Sequence, residues 1–396
     1  MIYLDAAATA PVRREVLEEM WPILTSTFGN PSSHHAIGEA AARAFADARR
    51  RIASLLGCRP GEIIFTSGGT EANNLALKGM ALARPRGRHI VTSTIEHPAV
   101  TEVLAYLREF HGFRITAVPV TPAGVVTPEA VAAVLERDTT LCTVMYANNE
   151  VGTVQDVAAL AEVCQRSGVP FHTDAVQAAG WCSLDVDRLG LTALSISGHK
   201  LGTPKGIGAL YLRAGTPCEA VLHGGGQERG RRSGTENVAG AVGLARALEL
   251  ARAALPEAAD EAGRGWDALA AGVLDGLPEV IVTGHTGQSG HSGTRLPNLM
   301  SFCFPGVSGE AVLLELERRG IVCSSGSACA AGSSEPSAVL LALGLDAETA
   351  LSAVRLSWTR DVRSGDLAAV ADAVVSSVRA IRALGVAPRG TTLADA

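Results

Sequence analysis

Lysine is scarce in this chain, and one of its few lysines stands where amine chemistry would need it. Of 34 basic residues only three are lysines: Lys78, Lys200 and Lys205. Lys200 ends the run LTALSISGHK, a strand-like stretch that leads into Ser197, Gly198 and His199. It follows Asp174 by 26 residues, and Asp174 closes another strand-like run, VPFHTD. Arginine stays protonated and forms no Schiff base, whereas a lysine amine does so once its site lowers its pKa. A chain that uses arginine nearly everywhere else is expected to keep a lysine here for that chemistry.

Other residues extend the pair. SGGTEANN follows a strand and opens a helix. Gly68 and Gly69 allow close backbone approach, Thr70 adds a hydroxyl, and free N–H groups at a helix start attract phosphate. The plainer alternative is an ordinary helix with Thr70 as its N-cap. Asp174 and Lys200 together are more specific. Pyridoxal 5'-phosphate needs a lysine for its Schiff base, a carboxylate to keep the pyridine nitrogen protonated, and a phosphate cradle. Ser197 and His199 beside Lys200 can add phosphate donors. His97, in TIEHPAV, is placed to stack on a cofactor ring and shuttle protons, although a lone histidine is more often structural.

Cys329 sits in CSSGSACAAGSSEPS, a run of Ser, Gly and Ala without strand or helix periodicity. Such a run reads as a flexible loop, and a cysteine there invites a reactive role. The alternative is an incidental loop cysteine. Cys323, at the end of the preceding strand-like run, reads as structural. Arg355, in AVRLSWTR, has a surface salt bridge as its plain reading, but its place within an apolar strand favours a bidentate carboxylate clamp.

The elements that must position these residues alternate strand and helix from about residue 62 to 213. EIIFTS, HIVTST, FRITAVPV, TLCTVMYA, VPFHTD, ALSIS and IGALYLR read as strands, with helical runs between most of them. This implies a mainly parallel seven-stranded sheet covered by helices, with ligands at the carboxyl ends of the strands. LHGGGQERGRRSGTEN (222–237) is too polar for a core and is expected to be a loop. One long helical stretch, roughly 237–275, then leads to a smaller α+β unit. The expected domains are 15–250, and 1–14 with 251–385, the latter carrying Cys329. Residues 386–396 are expected to form a mobile tail.

Composition limits the alternatives. The 396 residues are 47% hydrophobic with a net charge of −6, which asks for neither nucleic acid nor an anionic membrane as partner. No run of about 20 uncharged apolar residues predicts a membrane helix. The start MIYLDAAATAPVRR has no secretory pattern, and the eight cysteines show no CxxC pair. A cytoplasmic protein with reduced thiols is the expectation.

The chain resembles the cysteine desulfurases of the nitrogen-fixation and iron–sulfur-cluster type, within the class V aminotransferase-like, fold-type I pyridoxal phosphate enzymes. The likeness rests on YLDAAATAPV, FGNPSSHHAIGEAA, EIIFTSGGTEANNLALKG, IEHPAV, YANNEVGTVQD, FHTDAVQAAG, SISGHK, PKGIGALYLR, GGGQERGRRSGTEN, SSGSACAAGSSEP and VRLSWTR, in order along nearly the whole chain. It implies an α/β fold with a large cofactor-binding domain and a smaller one. It implies release of L-alanine from L-cysteine, with the sulfur left as a persulfide on Cys329. An iron–sulfur scaffold or a thiolation enzyme would take that sulfur. Selenocysteine lyases and other fold-type I aminotransferase-like enzymes are the alternative.

The same resemblance assigns roles. Lys200 would be the Schiff-base lysine and His97 the ring-stacking histidine. Asp174 would pair with the pyridine nitrogen, while Gln177 and Asn149 would lie near the phenolic oxygen. Gly69, Thr70, Ser197 and His199 would hold the phosphate, with Thr235 reaching it from the partner subunit of a homodimer. Arg355, Asn149 and Asn30 would meet the substrate. Cys329 would ligate metal only transiently, shared with a cluster scaffold. The chain departs from the family in having Ala6 and Ala10 in its opening motif. Gly202 and Thr203 also stand where many members have tyrosine and glycine.

Overall fold

The computed structural model describes residues 1–287, 295–325 and 335–385. The tail expected at 386–396 lies outside them. The N-terminus makes a short strand, β1 (Ile2–Tyr3). Seven strands then build the main sheet: β2 (Ile63–Thr66), β3 (His89–Ser93), β4 (Arg114–Val118), β5 (Thr139–Thr143), β6 (Phe171–Asp174), β7 (Ala193–Ser197) and β8 (Gly208–Leu212). Their order is β2-β8-β7-β6-β5-β3-β4. Only β8 runs against its neighbours, pairing antiparallel with both β2 and β7. The remaining pairs are parallel.

Alternation along the strands explains the layers. Phe65, Val91, Cys142 and Leu194 bury on one face of the sheet with helix Ala36–Leu56. Their neighbours Ile64, Ile90, Leu141 and Ala193 bury on the other with helices Gly69–Ala83 and Pro98–His111. A parallel sheet covered on both faces needs such continuous apolar runs.

Three further strands, β9 (Ile281–Val282), β10 (Leu299–Cys303) and β12 (Ala353–Ser357), form an antiparallel sheet in the order β12-β10-β9. β11 (Ile321–Val322) pairs in parallel with β1. Trp266, Phe302, Leu356, Trp358 and Leu367 fill a second core there, shared with Leu4 from the N-terminus.

Two expectations from the sequence need correction. The stretch 237–275 is not one helix but two, Val238–Ala253 and Leu255–Gly276, with the break at Ala254. Pro256 explains it: a proline ring collides with the carbonyl four residues back and offers no N–H to continue the helix. The polar segment 222–237 is largely irregular, yet it does send a charge inward. Glu228 is 5% exposed. Its carboxylate accepts hydrogen bonds from Arg49 Nη1 at 2.8 Å and from the Phe65 amide at 3.0 Å. The Arg49 guanidinium lies 4.9 Å from the ring centres of both Phe45 and Phe65. Glu228→Ala leaves that guanidinium without its carboxylate, so we expect a loss of about 3 kcal/mol of unfolding free energy. Equilibrium urea denaturation measures it, and a loss below about 1 kcal/mol would show that Arg49 finds another counter-charge.

Candidate active site

The carboxyl ends of β2, β3, β5, β6 and β7 open onto a cavity of about 470 Å³. Gly69, Thr70, His97, Asn149, Asp174, Gln177, Ser197, His199, Lys200 and Arg355 all line it. Asn30 and Thr235 do not line it. Thr235 is exposed, and Asn30 accepts a hydrogen bond from the Ser32 amide in its own turn. Cys329 lies outside the described residues.

Asp174 ends β6 and is buried. Its Oδ2 accepts from Asn73 Nδ2 at 2.6 Å and its Oδ1 from the Val176 amide at 2.9 Å. Burial pushes its carboxyl pKa up, against those two hydrogen bonds and the charges of His97 and Lys200. Lys200 ends the 3-10 turn Gly198–Lys200 that follows β7. Its Nζ donates to the carbonyl of Ala7, and to that of Ala8 at 2.6 Å. Gln177 Nε2 donates to the same Ala7 oxygen at 2.9 Å.

His97 is at once an element-forming residue and a lining residue. It is the N-cap of helix Pro98–His111, with Nδ1 accepting from the Ala99 amide at 3.0 Å. That bond fixes the ring and leaves the imidazole proton to Nε2. Burial lowers its pKa, and the nearby Lys200 adds to this while Asp174 opposes it. The imidazole is therefore neutral at pH 7.

The helix Gly69–Ala83 begins at the cavity, with Gly68 as its N-cap and no side-chain capping bond. Thr70 is thus the second residue of the helix rather than its cap. The unfilled amides of this first turn, Thr70, the buried Ser197 and His199 face one anion-sized need. His199 Nδ1 is 3.0 Å from Thr9 Oγ1, and burial with the charges of Lys200 and Lys205 lowers its pKa to about 4. This donor set fits pyridoxal phosphate: an amine, a buried carboxylate, a flat-ring neighbour in His97 and an uncapped helix start share one cavity.

Arg355, on β12, reaches the same cavity from the smaller sheet. It is 1% exposed. Nη1 donates to the Asn149 carbonyl at 2.9 Å and Nη2 to Asp5 Oδ1 at 2.7 Å.

Sequence reasoning missed several contributors. Asn73, Asp5, Glu71 and Glu150 are ordinary by type, and only contact reveals them. Glu71 holds Arg232 at 2.8 Å and the Ser67 amide at 2.7 Å, tying the polar segment to the helix start. Glu150 accepts from Ser337 Oγ at 2.5 Å, and burial raises its carboxyl to about 7. Glu96, beside His97, accepts from Ser93 Oγ and the Met145 amide through Oε1. Burial pushes Glu96 up to about 8 despite those bonds.

Glu96 holds its proton more tightly folded than unfolded. Its stabilising contribution is therefore complete below about pH 4.5 and is lost as pH rises through about 8. Unfolding free energies of the wild type from urea denaturation should fall relative to Glu96→Gln between about pH 5 and 8, by up to about 1.4 kcal/mol per pH unit. Parallel profiles would mean that the carboxyl is not shifted.

Comparison with known proteins places this geometry. The family model for aminotransferase class-V matches residues 2–370. The chain is 44% identical over 382 residues to "Cysteine desulfurase IscS" of Methanosarcina thermophila, covering 96% of this chain and 93% of that one. The solved structure of a NifS-like protein superposes with a TM-score of 0.86 at 35% identity, over 97% of this chain and 99% of that one. SspA, solved in complex with cysteine, superposes with a TM-score of 0.77 at 36% identity, over 90% of this chain and 98% of that one. With an amine, a buried carboxylate and an uncapped helix start on one cavity, the chain belongs to the aminotransferase class-V family, in the group whose relatives are cysteine desulfurases.

Proposed function

We propose that this chain is a pyridoxal phosphate-dependent cysteine desulfurase that converts L-cysteine to L-alanine and leaves the sulfur as a persulfide on Cys329. The observation that carries this is the meeting of Lys200, Asp174 and Arg355 on one cavity, in a chain 44% identical to a named cysteine desulfurase. Asp174 would hold the cofactor's ring nitrogen, His97 its face, and Gln177 and Asn149 its phenolic oxygen. Gly69, Thr70, Ser197 and His199 would hold its phosphate. Bound there, the cofactor supplies an electron sink for negative charge on the substrate α-carbon.

The chain's own residues do the rest. Arg355 binds the substrate carboxylate and so aims the α-carbon hydrogen at Lys200 Nζ, which removes it. Cys329 Sγ, as the thiolate, attacks the substrate sulfur. The new S–S bond forms as the substrate C–S bond breaks, and that electron pair stays with carbon. Protonation of that carbon from His97 Nε2 or Lys200 Nζ completes the alanine methyl group.

A homodimer is part of this reading. Thr235 and Asn30 lie outside their own chain's cavity, where a second copy could use them. Trp21 and Phe28 are 67% and 68% exposed, apolar surface that a second copy would cover. The sulfur acceptor would be an iron–sulfur scaffold or a thiolation enzyme, with Cys329 sharing a metal only in passing. The cytoplasm is the proposed place of action. No helix among the described residues is long and apolar enough to cross a membrane.

Lys200→Ala is expected to lose the cofactor's long-wavelength absorbance and all alanine formation. An unchanged spectrum refutes the lysine's role. Cys329→Ala should keep that absorbance but lose persulfide, with alanine formation from L-cysteine reduced at least about a hundredfold. Full turnover would remove Cys329 from the reaction. An aminotransferase would instead require an added keto acid to form product, and a selenocysteine lyase would turn over selenocysteine but not cysteine.

A further inference from the structure

Arg355 cannot set its own direction. Its long stem rises from the middle of β12, and its charge is buried. A guanidinium carries five N–H donors in one plane, so two fixed acceptors are needed to orient that plane. One is the Asn149 carbonyl on Nη1, at 2.9 Å. The other is Asp5 Oδ1 on Nη2, at 2.7 Å. Nε is buried and has no hydrogen-bond partner among the described residues.

Asp5 is itself held on both sides. The Ala6 amide donates to the Ser357 carbonyl at 3.0 Å, and the Ser357 amide donates to the Leu4 carbonyl at 2.8 Å. Tyr3 Oη donates to the Asp5 carbonyl at 3.0 Å and to the Thr9 carbonyl at 2.8 Å. The side chain of Asp5 is 20% exposed against 1% for Arg355, so the carboxylate keeps some hydration while the guanidinium keeps none. An uncompensated cation in that position would be costly, and Asp5 supplies its counter-charge before any substrate arrives.

We infer that Asp5 is a positioning residue of the substrate-carboxylate site: it fixes the plane of Arg355 and neutralises it in the resting enzyme. The inference rests on the reading of Arg355 as the group that binds the substrate carboxylate. It has a functional consequence. With Asp5 in place, the substrate carboxylate meets a preset pair of donors, and affinity comes from geometry rather than from net charge. Without it, the guanidinium hangs from one carbonyl and must be ordered at each binding event.

The test uses the holoenzyme with L-cysteine. Asp5→Ala should raise KM about tenfold, the weight of one charge-assisted hydrogen bond, with kcat changed less than about threefold. Asp5→Asn keeps an acceptor oxygen and should raise KM less. Cofactor absorbance should be unchanged in both, and thermal unfolding identifies any variant that has lost its fold. The double variant Asp5→Ala with Arg355→Ala should bind no worse than Arg355→Ala alone, because Asp5 acts only through the arginine. If Arg355→Ala leaves KM unchanged, the reading of the arginine fails and takes the inference with it. If Arg355→Ala raises KM but folded Asp5→Ala and Asp5→Asn do not, only the positioning role is overturned. A lower KM in Asp5→Asn would likewise overturn it, since Asp5 would then compete with the substrate.

Discussion

The Lys200 ammonium rests on the carbonyls of Ala7 and Ala8, and that contact ties the two halves of the site together. Residues 1–10 begin in a two-stranded sheet, where β1 pairs with β11. They pass β12, where Ser357 Oγ takes the Ala7 amide at 2.9 Å. They end against the main sheet, where the Ala10 amide donates to the His199 carbonyl at 3.0 Å. On the way this strap touches Arg355, Gln177, Lys200 and His199. The amine on one sheet and the guanidinium on another are thus set by a single piece of backbone. Backbone carbonyls are suited to seating the amine because they hold a cation without a full negative charge.

The cavity floor follows another rule, that buried charge is kept only where partners surround it. Asp174 meets two hydrogen-bond donors and, in Lys200, a cationic neighbour. Glu96, two strands away in the sheet order, meets two donors but no cation close enough to count, and burial moves it up to about 8. Both carboxyls are pushed up by burial, but only Asp174 has the opposing pull of Lys200 and lines the cavity. The Arg49–Glu228 pair shows the same rule outside the cavity, where it fastens the segment before Thr235 beneath β2.

What the sequence reveals and conceals follows from range. Strands β2, β3 and β5 to β8 are legible because burial on both faces leaves apolar runs bounded by polar turns. Lys200 and Asp174 are legible because their types are scarce or chemically demanding, and Asp174 closes a strand while Lys200 ends the turn just after one. The helices Arg14–Thr25 and Ala36–Leu56 are amphipathic, but they precede the strand–helix alternation, and nothing local shows what their buried faces pack against. The polarity of 222–237 hides Glu228, since polarity alone does not show that a distant arginine waits in the core. Asp5 and Asn73 escape for the same reason. They act on Arg355 and Asp174, 350 and 101 residues away in sequence, and no local pattern carries such a pairing.

The departures from the family motif after Lys200 are also explained at this range. Gly202 has φ +87°, and a Cβ there would lie 2.5 Å from Arg13 Cγ. The Arg13 amide donates to the Gly202 carbonyl at 2.9 Å, so the strap's far end is seated on this turn. A tyrosine at 202 would need both an unfavourable backbone and the space that Arg13 fills. Thr203 makes the matching demand on Gly198, whose missing side chain leaves room for the threonine hydroxyl. The two residues thus belong to one local arrangement, in which Arg13 and Thr203 fill the space that the missing side chains of Gly202 and Gly198 leave.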